Sequence, residues 1–532
     1  FLLALTIVLG VSGSGRSTAE ESVMEESVDD GSAVALYRRG ISYEEYRTLY
    51  EGAPAPGEEL TIDLADFVDA SSNVLLLRDF PGAKGEVLIT EETGFVEWEI
   101  EVATPGLYNL KLSYYPMEGK RSAMERELQI NGECPFSEAK SLTFSRVWGD
   151  AHEKLVDQFG NEIRARQEEK PCWRTVYLSD SMGYHDEPYR FYFQEGLNRV
   201  RLVSHAEPMA ISELVLCQAP VPPDYAELER SYAEQGYQPV KDIVVKIQGE
   251  DGVRRSSSTL FPVFDQGDPT VEPYHPAQIR LNTIGGYRWA QAGQWITWEF
   301  EVPRSGLYKI AIKGKQDEQR GFYSSRKLLL DGRVPFAEMK TITFPFSQHY
   351  QMQVLGDDEP YLFYLEKGRH ELELQVVLGD LTKIIRQARD SLYELNTIYR
   401  RIIMITSPNP DPLRSYQLEL KIPGLIDDLR EQGRVFRDLK AYFQEYTGQI
   451  GTHTAFLEKL AVLLERMANR PYTIPDLLDE YKDNIGALGE WITTTERQPL
   501  QIDYIIVAAP KESLSPAAPT VTQTLAHEIR AF

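Results

Sequence analysis

Two stretches of this chain repeat each other at a spacing of 200 residues. The segment VEWEIEVATPGLYNLKL begins at Val96, and ITWEFEVPRSGLYKIAI begins at Ile296. In the same register, RELQINGECPFSEAKSLTF from Arg126 matches RKLLLDGRVPFAEMKTITF from Arg326. A third pair, EPYRFYFQEG and EPYLFYLEKG, has a spacing of 172 residues. Three matches in the same order indicate one structural unit that is present twice.

The pattern within each copy predicts short β-strands. Residues 298–302 (WEFEV) alternate large apolar and acidic side chains, which is the period of a half-buried strand. Residues 303–306 form a predicted turn, and residues 307–312 return as the next strand of a hairpin. Asn-Gly at 131–132 and Asp-Gly at 331–332 are residue pairs that tight hairpin turns favour. Each copy is therefore predicted to be a sandwich of two antiparallel sheets.

The two copies differ in ways that predict an insertion in each. The spacing from Phe144 to Glu187 is 43 residues, whereas the matching spacing from Phe344 to Glu359 is 15. The last strand of the second copy, PLQIDYIIVAAP, stands only at residues 499–510. Before it, apolar residues recur at spacings of three and four, which is the stripe of an amphipathic helix. The ends of this helical part must meet at one sandwich edge, as in an up-and-down bundle.

The predicted fold class is mainly β with α, with two jelly-roll β-sandwich modules of which the second is interrupted by a helical bundle. The predicted parts are a partial signal peptide (1–20), an acidic helical lead-in (21–57), module 1 (58–220), a linker (221–240), module 2 (241–379 and 498–510), an inserted helical bundle (380–497), and a linker that starts a missing C-terminal domain (511–532).

The charge of the chain excludes some partners. With 81 acidic and 56 basic residues, the net charge is −25. Binding to nucleic-acid phosphates needs a surplus of Lys and Arg on one face, so we expect no nucleic-acid partner. Docking on an anionic membrane through charge is disfavoured for the same reason. An acidic chain suits a neutral ligand or a role outside the cell, and its simplest interpretation is solubility.

The N-terminal segment and the cysteines bear on the compartment. Residues 1–11 are an apolar run too short for a comfortable membrane span, and residues 17–19 (STA) have the form of a cleavage site. We expect a signal peptide whose upstream end is missing, with an uncleaved anchor as the alternative. Both interpretations predict an extracellular or cell-surface location. Cys134, Cys172 and Cys217 are too few for a disulfide framework or a zinc site, and one disulfide with one free thiol remains open.

No catalytic signature occurs in the sequence. There is no GxSxG, HExxH, CxxC or phosphate-binding glycine loop. Acidic pairs such as Glu97 and Glu99 are common because the chain has 81 acids, and nothing sets two of them across a cleft as glycoside hydrolysis requires. We therefore predict no catalytic residues and no enzyme activity.

The segment GQWITWEFEVPRSGLYKIAI from Gly293 is similar to the central strands of calcium-containing carbohydrate-binding modules with a galactose-binding-like jelly roll. The opening strand VVKIQGEDG and the closing strand LQIDYIIV fit the same pattern. With the helical insertion, the order of parts resembles the N-terminal region of large solute-binding proteins of bacterial sugar ABC importers. Two departures are the absence of a lipid-anchor cysteine and of the two-lobed binding domain. Import is therefore an expectation by analogy.

The resemblance implies a structural calcium ion held by Glu250 on the first strand and Asp503 on the last. Hard cations bind carboxylate and carbonyl oxygens. In module 1, Ser212 stands where Asp503 would, so its equivalent site is doubtful. The alternative interpretation is that these acids are solvated at strand ends.

Flat aromatic side chains beside hydrogen-bonding groups are what a sugar ligand requires. The predicted ligand-binding residues are Tyr287, Arg288, Trp289 and Trp295 in module 2, and Trp148 and Trp173 in the longer loop of module 1. For Trp289 and Trp295 a place in the core is the alternative.

These observations favour non-catalytic, extracytoplasmic carbohydrate binding as part of the solute-binding component of a sugar ABC importer. The expected partners are an oligo- or polysaccharide and a transporter permease. One alternative is a structural spacer or assembly platform without ligand, and another is the accessory region of a secreted glycoside hydrolase. Exposed aromatic residues in a concave patch would favour binding over the spacer.

Overall fold

Two β-sandwiches and a helical bundle make up the described part of the chain. The structure is a computed structural model, and it describes residues 40–83, 85–411, 414–448 and 451–514. The predicted signal peptide and the chain from residue 515 onward lie outside these residues. The predicted fold class is confirmed, because both modules are antiparallel sandwiches and helices interrupt the second.

Module 1 is built from two antiparallel sheets. The strands of residues 58–220 are β1 (Leu60–Thr61), β2 (Phe67–Ala70), β3 (Leu75–Leu77), β4 (Val87–Thr90), β5 (Gly94–Val102), β6 (Gly106–Pro116), β7 (Met124–Ile130), β8 (Leu142–Phe144), β9 (Trp148–Asp150), β10 (Leu155–Val156), β11 (Glu162–Ile163), β12 (Gln167–Glu169), β13 (Arg174–Tyr177), β14 (Arg190–Phe193), β15 (Gly196–Ala206) and β16 (Met209–Cys217). One sheet has the order β13-β6-β16-β4-β3, with β1 beside β16 and β14 beside β6. The other has the order β2-β5-β15-β7-β8.

Module 2 repeats this plan. Its strands are β17 (Val244–Gln248), β18 (Arg254–Arg255), β19 (Pro262–Val263), β20 (Thr283–Gly286), β21 (Trp295–Val302), β22 (Gly306–Lys315), β23 (Tyr323–Leu330), β24 (Ile342–Pro345), β25 (Gln351–Val354), β26 (Leu362–Leu365), β27 (Gly368–Val377) and β28 (Leu500–Ala508). The strand β28 lies between β20 and β22 and also pairs with β17. The predicted closing strand after the helical insertion is thus confirmed.

A glycine that recurs at the start of β6 and β22 allows a close backbone approach. A Cβ on Gly106 would stand 2.4 Å from the carbonyl oxygen of Pro54, and a Cβ on Gly306 would stand 2.8 Å from that of Gln238. In each copy the following residue donates its N–H to that same carbonyl, at 2.8 Å and 3.0 Å. Glycine is required because the segment that precedes each module crosses the strand at this point.

A short helix precedes each module and packs on its core. These helices are α1 (Tyr43–Leu49) and α2 (Tyr225–Glu234). The hydroxyl of Tyr43 accepts the backbone N–H of Arg190 at 2.9 Å, and the hydroxyl of Tyr225 accepts that of Leu362 at 2.9 Å. The two copies therefore fix their leading helix with the same contact to the strand after the repeated EPY motif.

These helices change two of the predicted boundaries. Residues 221–240 were expected to be a linker, yet the ring of Tyr225 packs 5.0 Å from that of Phe336 in module 2. In the predicted lead-in, the ring of Tyr43 packs 4.7 Å from that of Phe136 in module 1. Both segments belong to the repeated unit. Their spacing of 182 residues differs from the 200 of the main repeat, which hides the relation in the sequence.

The bundle forms a closed ring of helices at residues 380–497. Its described helices are α3 (Leu381–Thr406), α4 (Leu418–Lys421), α5 (Leu425–Thr447), α6 (Thr452–Asn469) and α7 (Ile474–Glu496). Helix α3 packs on α5 and α7, α5 packs on α6, and α6 packs on α7. Phe322 of module 2 enters the bundle core, with its ring 5.2 Å from Phe443 and 4.4 Å from His453. The predicted up-and-down arrangement is therefore observed.

The three cysteines are all free thiols, so the single disulfide considered from the sequence does not form. Across the residues that the structure describes, no helix has the length and apolar character needed to cross a bilayer.

Replacing Tyr43 by Phe tests the contact that fixes α1. The change removes the hydroxyl that accepts the N–H of Arg190, and an amide left without a partner costs about 1–3 kcal/mol. We expect a lower urea midpoint for Tyr43→Phe, measured by circular dichroism. The matched control is Tyr50→Phe, because that ring stacks on Tyr192 at 4.4 Å and its hydroxyl accepts no backbone amide in the described part of the chain. An unchanged midpoint for Tyr43→Phe would contradict the assignment.

Candidate functional site

The extra residues of module 1 do not form a free loop. The strands β9 and β12 leave module 1 and extend the second sheet of module 2, whose order is β12-β9-β18-β21-β27-β23-β24. In this sheet Trp148 of module 1 pairs with Arg255 of module 2. The two modules therefore share one continuous sheet, which fixes their relative position.

An ion pair between the buried Arg255 and the half-buried Asp150, here termed the clasp, closes the shared sheet. The guanidinium of Arg255 donates to both carboxylate oxygens of Asp150, at 2.9 and 3.0 Å. It also donates to Gln167 Oε1 at 2.8 Å and to the carbonyl oxygen of Gly252 at 2.7 Å. Burial raises the pKa of Asp150, but the hydrogen bonds and charge of Arg255 outweigh it and hold that pKa below its usual value. Arg255 itself is fully buried, so the pair needs both partners.

A cleft of about 910 Å³ lies between the two modules, with walls from both. The aromatic side chains of its walls include Tyr114, Phe144, Trp148, Trp173 and Trp295. The polar side chains of its walls include Ser145, Arg174, Asp186, Arg254, Gln294, Lys327, Glu371 and Glu373. A volume of this order matches ligand-binding clefts in general. Three of the six predicted ligand-binding residues, namely Trp148, Trp173 and Trp295, are brought together here.

Trp295 forms part of the cleft wall beneath an arginine of the other module. The guanidinium carbon of Arg174 lies 3.8 Å from the centre of the indole ring. The indole N–H donates to Ser145 Oγ at 3.1 Å, and Arg174 pairs with Glu373 at 3.5 Å. Only 3% of Trp295 is exposed. Its contribution to the cleft is therefore to hold Arg174, not to present an open ring face.

Trp173 is the most accessible of the three tryptophans in the cleft. Its indole N–H donates to the carbonyl oxygen of Pro81 at 3.0 Å. The ring packs against Phe80 and Tyr115, with centroids 5.6 and 5.5 Å apart. Trp173 is half-buried, so a partly open ring is held in a fixed orientation at the cleft wall.

The structure places one predicted ligand contact, Trp289, outside the cleft, and a second, Trp148, lines the cleft but is buried. Trp289 is fully buried in the core of module 2, where Arg326 stacks on its ring at 4.2 Å and Trp298 lies 6.2 Å away. No ring face is free for a sugar, so the core alternative holds for Trp289. Trp148 is also buried, and its strand β9 pairs with β12 of module 1 and β18 of module 2. Its main role is to join the modules.

Tyr287 and Arg288 lie outside the cleft. Tyr287 is 55% exposed, and Arg288 stacks on its ring at 4.4 Å. Neither residue lines the cleft. Of the six predicted ligand-binding residues, Trp148, Trp173 and Trp295 therefore line the cleft. Trp289 lies in the core, and Tyr287 and Arg288 form a pair on the surface.

The remaining ionic groups of the cleft largely balance each other. Arg254 pairs with Glu371 at 2.5 Å. Burial raises the pKa of Asp186, and burial lowers the pKa of Lys327 although the charge of Asp186 opposes that shift. The cleft thus presents many hydrogen-bonding groups and little net charge.

The sequence did not point to Arg174, Glu373 or Lys327 as site residues. Arg174 follows Trp173 directly, but its partner Glu373 is 199 residues away along the chain. Only the docking of the two modules brings these side chains together. No local pattern in the sequence contains that information.

The predicted calcium ligands are both buried, and each meets a different lysine. Lys154 Nζ lies 3.3 Å from Glu250 Oε1, and Lys313 Nζ lies 2.7 Å from Asp503 Oδ2. Burial raises the pKa of Glu250 to about 7 and that of Asp503 to about 6. Glu250 Oε2 and Gln248 Oε1 are buried without a hydrogen-bond partner, which fits a hard cation. Asp503, already held by Lys313, fits one less well.

In the described ranges, no group of three or more His, Cys, Asp or Glu side chains is placed to hold a metal ion. A calcium ion that uses both Glu250 and Asp503 therefore stays a prediction.

The comparison with protein families gives one match. Residues 383–491 match the model of the bacterial solute-binding protein, 4-helix bundle domain. This range covers most of helices α3 to α7, so the resemblance to bacterial solute-binding proteins is supported for the bundle. No curated protein matches the chain.

Among solved structures, the sandwiches are weakly similar to several proteins. A family 35 carbohydrate binding module from Clostridium thermocellum is 15% identical, with a TM-score of 0.20, over 31% of this chain and 100% of that chain. A GH26-CBM35 β-(1,4)-mannanase of Podospora anserina is 14% identical, with a TM-score of 0.20, over 34% of this chain and 35% of that chain. A Paenibacillus xanthan lyase is 13% identical, with a TM-score of 0.19, over 61% of this chain and 25% of that chain. At such scores these likenesses carry no argument about function.

Replacing Asp150 by Asn tests the clasp. The change leaves the buried guanidinium of Arg255 without its counter-charge, which costs about 3 kcal/mol. We expect a lower melting temperature and faster proteolysis between the modules. Because the pKa of Asp150 is depressed in the folded state, its contribution is present above its unfolded pKa and is lost as the pH falls through its folded pKa. The advantage of the wild type over Asp150→Asn should therefore vanish in strong acid.

The control is Asp358→Asn, which changes an exposed aspartate without an ion pair among the described residues. If Asp150→Asn and Asp358→Asn behave alike at neutral pH, the clasp does not stabilise the interface.

Proposed function

We propose that this chain binds a neutral saccharide without catalysis, in the cleft between module 1 and module 2. The observation that carries the proposal is a partly open tryptophan, Trp173, set among balanced polar side chains in a cleft of about 910 Å³. An apolar ring face and many hydrogen-bonding groups together suit the two kinds of surface that a sugar presents.

The balance of charge argues for a neutral ligand in the cleft. The cleft arginines Arg174 and Arg254 already pair with Glu373 and Glu371. A ligand carboxylate would have to displace one of these acids, whereas sugar hydroxyls need only accept and donate hydrogen bonds at the rim. Paired side chains of this kind hold planar hydrogen-bonding groups in place before a ligand arrives.

We further propose that the chain belongs to the solute-binding component of a bacterial sugar ABC importer. The match of residues 383–491 to a solute-binding protein bundle supports the solute-binding part of this proposal. Export by a signal peptide, a place at the cell surface and a permease partner are proposed from the sequence resemblance. Copurification of the exported full-length protein with the permease tests this part, and its absence from the membrane-bound transporter would contradict it.

A second function, a spacer without ligand, is favoured by one observation. Trp148 and Trp289 serve the sandwich structure, and Trp295 is almost covered by Arg174. Most of the aromatic residues that suggested sugar binding therefore have structural roles. The binding experiment below separates the two functions.

Replacing Trp173 by Ala tests the cleft. We expect a neutral oligosaccharide identified on a glycan array to bind the wild type in calorimetry, and Trp173→Ala to bind it about tenfold more weakly. The reason is that a stacking aromatic contact contributes about 1.5 kcal/mol. No new reducing ends should form during incubation, as expected of binding without catalysis.

Tyr472→Ala is the matched control, because Tyr472 is 76% exposed on the bundle and lies outside the cleft. A folded wild type that binds no glycan would support the spacer function instead. Equal affinity of Trp173→Ala and the wild type would place the sugar outside the cleft.

We also propose that calcium stabilises module 2 through Glu250. A ligand that binds only the folded state adds about 2.7 kcal/mol at one hundred times its Kd. We expect millimolar calcium to raise the melting temperature of the wild type and of Glu301→Gln, whose carboxylate is exposed on β21, but not that of Glu250→Gln. Identical melting temperatures in calcium and in a chelator would exclude a structural calcium ion.

A further inference from the structure

Two arginines stack on aromatic rings of module 2 and share one of these rings. Arg164 lies 4.0 Å from the centre of the Phe261 ring, and Arg288 lies 4.8 Å from the same centre. Arg288 also stacks on Tyr287 at 4.4 Å. We term these four residues the arginine patch. Since Tyr287 is 55% exposed, the patch presents an accessible ring beside two guanidinium groups.

The arginine patch is formed by both modules. Arg164 belongs to the extra segment of module 1, whereas the other three residues belong to module 2. The strand before Arg164 is fixed on module 2 because Glu162 Oε2 accepts the N–H of Leu281 at 2.8 Å and Glu162 Oε1 pairs with Arg280 at 3.1 Å. The position of Arg164 above Phe261 therefore follows from the docking of the modules.

Neither guanidinium of the patch has an acidic partner within the described residues. This differs from the arginines of the cleft and the clasp, where Arg174, Arg254 and Arg255 each pair with a carboxylate. Glu318 contacts the backbone of Tyr287, but its carboxylate pairs with Arg497 at 3.9 Å. Guanidinium groups without an acidic partner keep donors that an anion can accept from.

We infer that the arginine patch binds the carboxylate of an acidic saccharide. The planar guanidinium fork donates two parallel hydrogen bonds to a carboxylate, and both forks here are held by stacking on rings. The exposed face of Tyr287 offers a flat apolar surface on which a sugar ring packs. A free inorganic anion would use the arginines alone, whereas an acidic sugar uses the arginines and Tyr287.

The arginine patch and the cleft are separate sites, since none of the four patch residues lines the cleft. The inference therefore does not rest on the function proposed for the cleft. It assigns a different ligand chemistry to a different surface.

The test uses the full chain and calorimetric titration with trigalacturonate. Maltotriose serves as a neutral trisaccharide of the same length. We expect trigalacturonate to bind in low salt and to bind far more weakly in high salt, because exposed charges are screened. Maltotriose should not compete for this site. Replacement of both arginines, Arg164→Ala with Arg288→Ala, should weaken the binding of trigalacturonate at least about tenfold. Tyr287→Ala should weaken it by a smaller factor.

The matched control is Arg304→Ala, which removes an exposed arginine of module 2 that has no aromatic ring beneath it among the described residues. Circular dichroism checks that each variant is folded, and Trp173→Ala should leave the binding of trigalacturonate unchanged.

Equal loss of affinity in Arg304→Ala and in the double variant would show that only the overall charge matters and would overturn the inference. Unchanged affinity in the double variant, or equal binding of maltotriose at this site, would also overturn it. If inorganic sulfate competes as well as trigalacturonate and Tyr287→Ala has no effect, the patch is an anion site and not a saccharide site.

Discussion

The relative position of the two modules depends on the sheet that they share, in which Arg255 of β18 binds Asp150 of β9. The pairing of β9 with β18 and ion pairs such as Arg174 with Glu373 and Glu162 with Arg280 also join the modules, and the contact between Arg255 and Asp150 adds to them. With it, the fully buried guanidinium is neutralised by a carboxylate of the other module, and the shared sheet is closed. A buried charge without a partner is costly, so the modules are driven to remain docked. The cleft and the arginine patch both exist only in that docked state.

The helical bundle also contacts the junction between module 1 and module 2. Residues 179–181 line the cleft, and Tyr184 in the same segment donates its hydroxyl to Glu496 Oε1 at 2.7 Å. Arg389 of α3 stacks on the ring of Tyr184 at 4.5 Å. The segment that forms one wall of the cleft therefore also contacts the first and the last long helix of the bundle.

The sequence was most informative where a pattern is local and repeated. The strands around Trp98 and Trp298, the closing strand at residues 500–508 and the helical insertion follow from alternation, from the repeat and from the apolar stripe. The candidate site was less accessible to prediction because its contacts are distant along the chain. Trp173 was identified by residue type, but its neighbour Arg174 acquires a role only through Glu373 of the other module. Residue type alone also did not distinguish the buried Trp289 from an exposed ligand contact.

Arginine stacked on an aromatic ring occurs at three depths in this protein, and depth decides what the pair does. In the core of module 2, Arg326 lies on Trp289 and both are fully buried, so the pair only fills and hydrogen-bonds the interior. At the cleft wall, the guanidinium of Arg174 covers Trp295 and pairs with an acid, so it orients neighbouring groups without offering charge. At the surface, Arg288 lies on Tyr287 and has no ion pair with an acid among the described residues, so its charge and the ring remain available. The buried pair therefore stabilises the core, and the pair at the cleft wall positions neighbouring groups. Only the exposed pair is suited to recognition, because the free donors of its guanidinium group bind water that a ligand can replace.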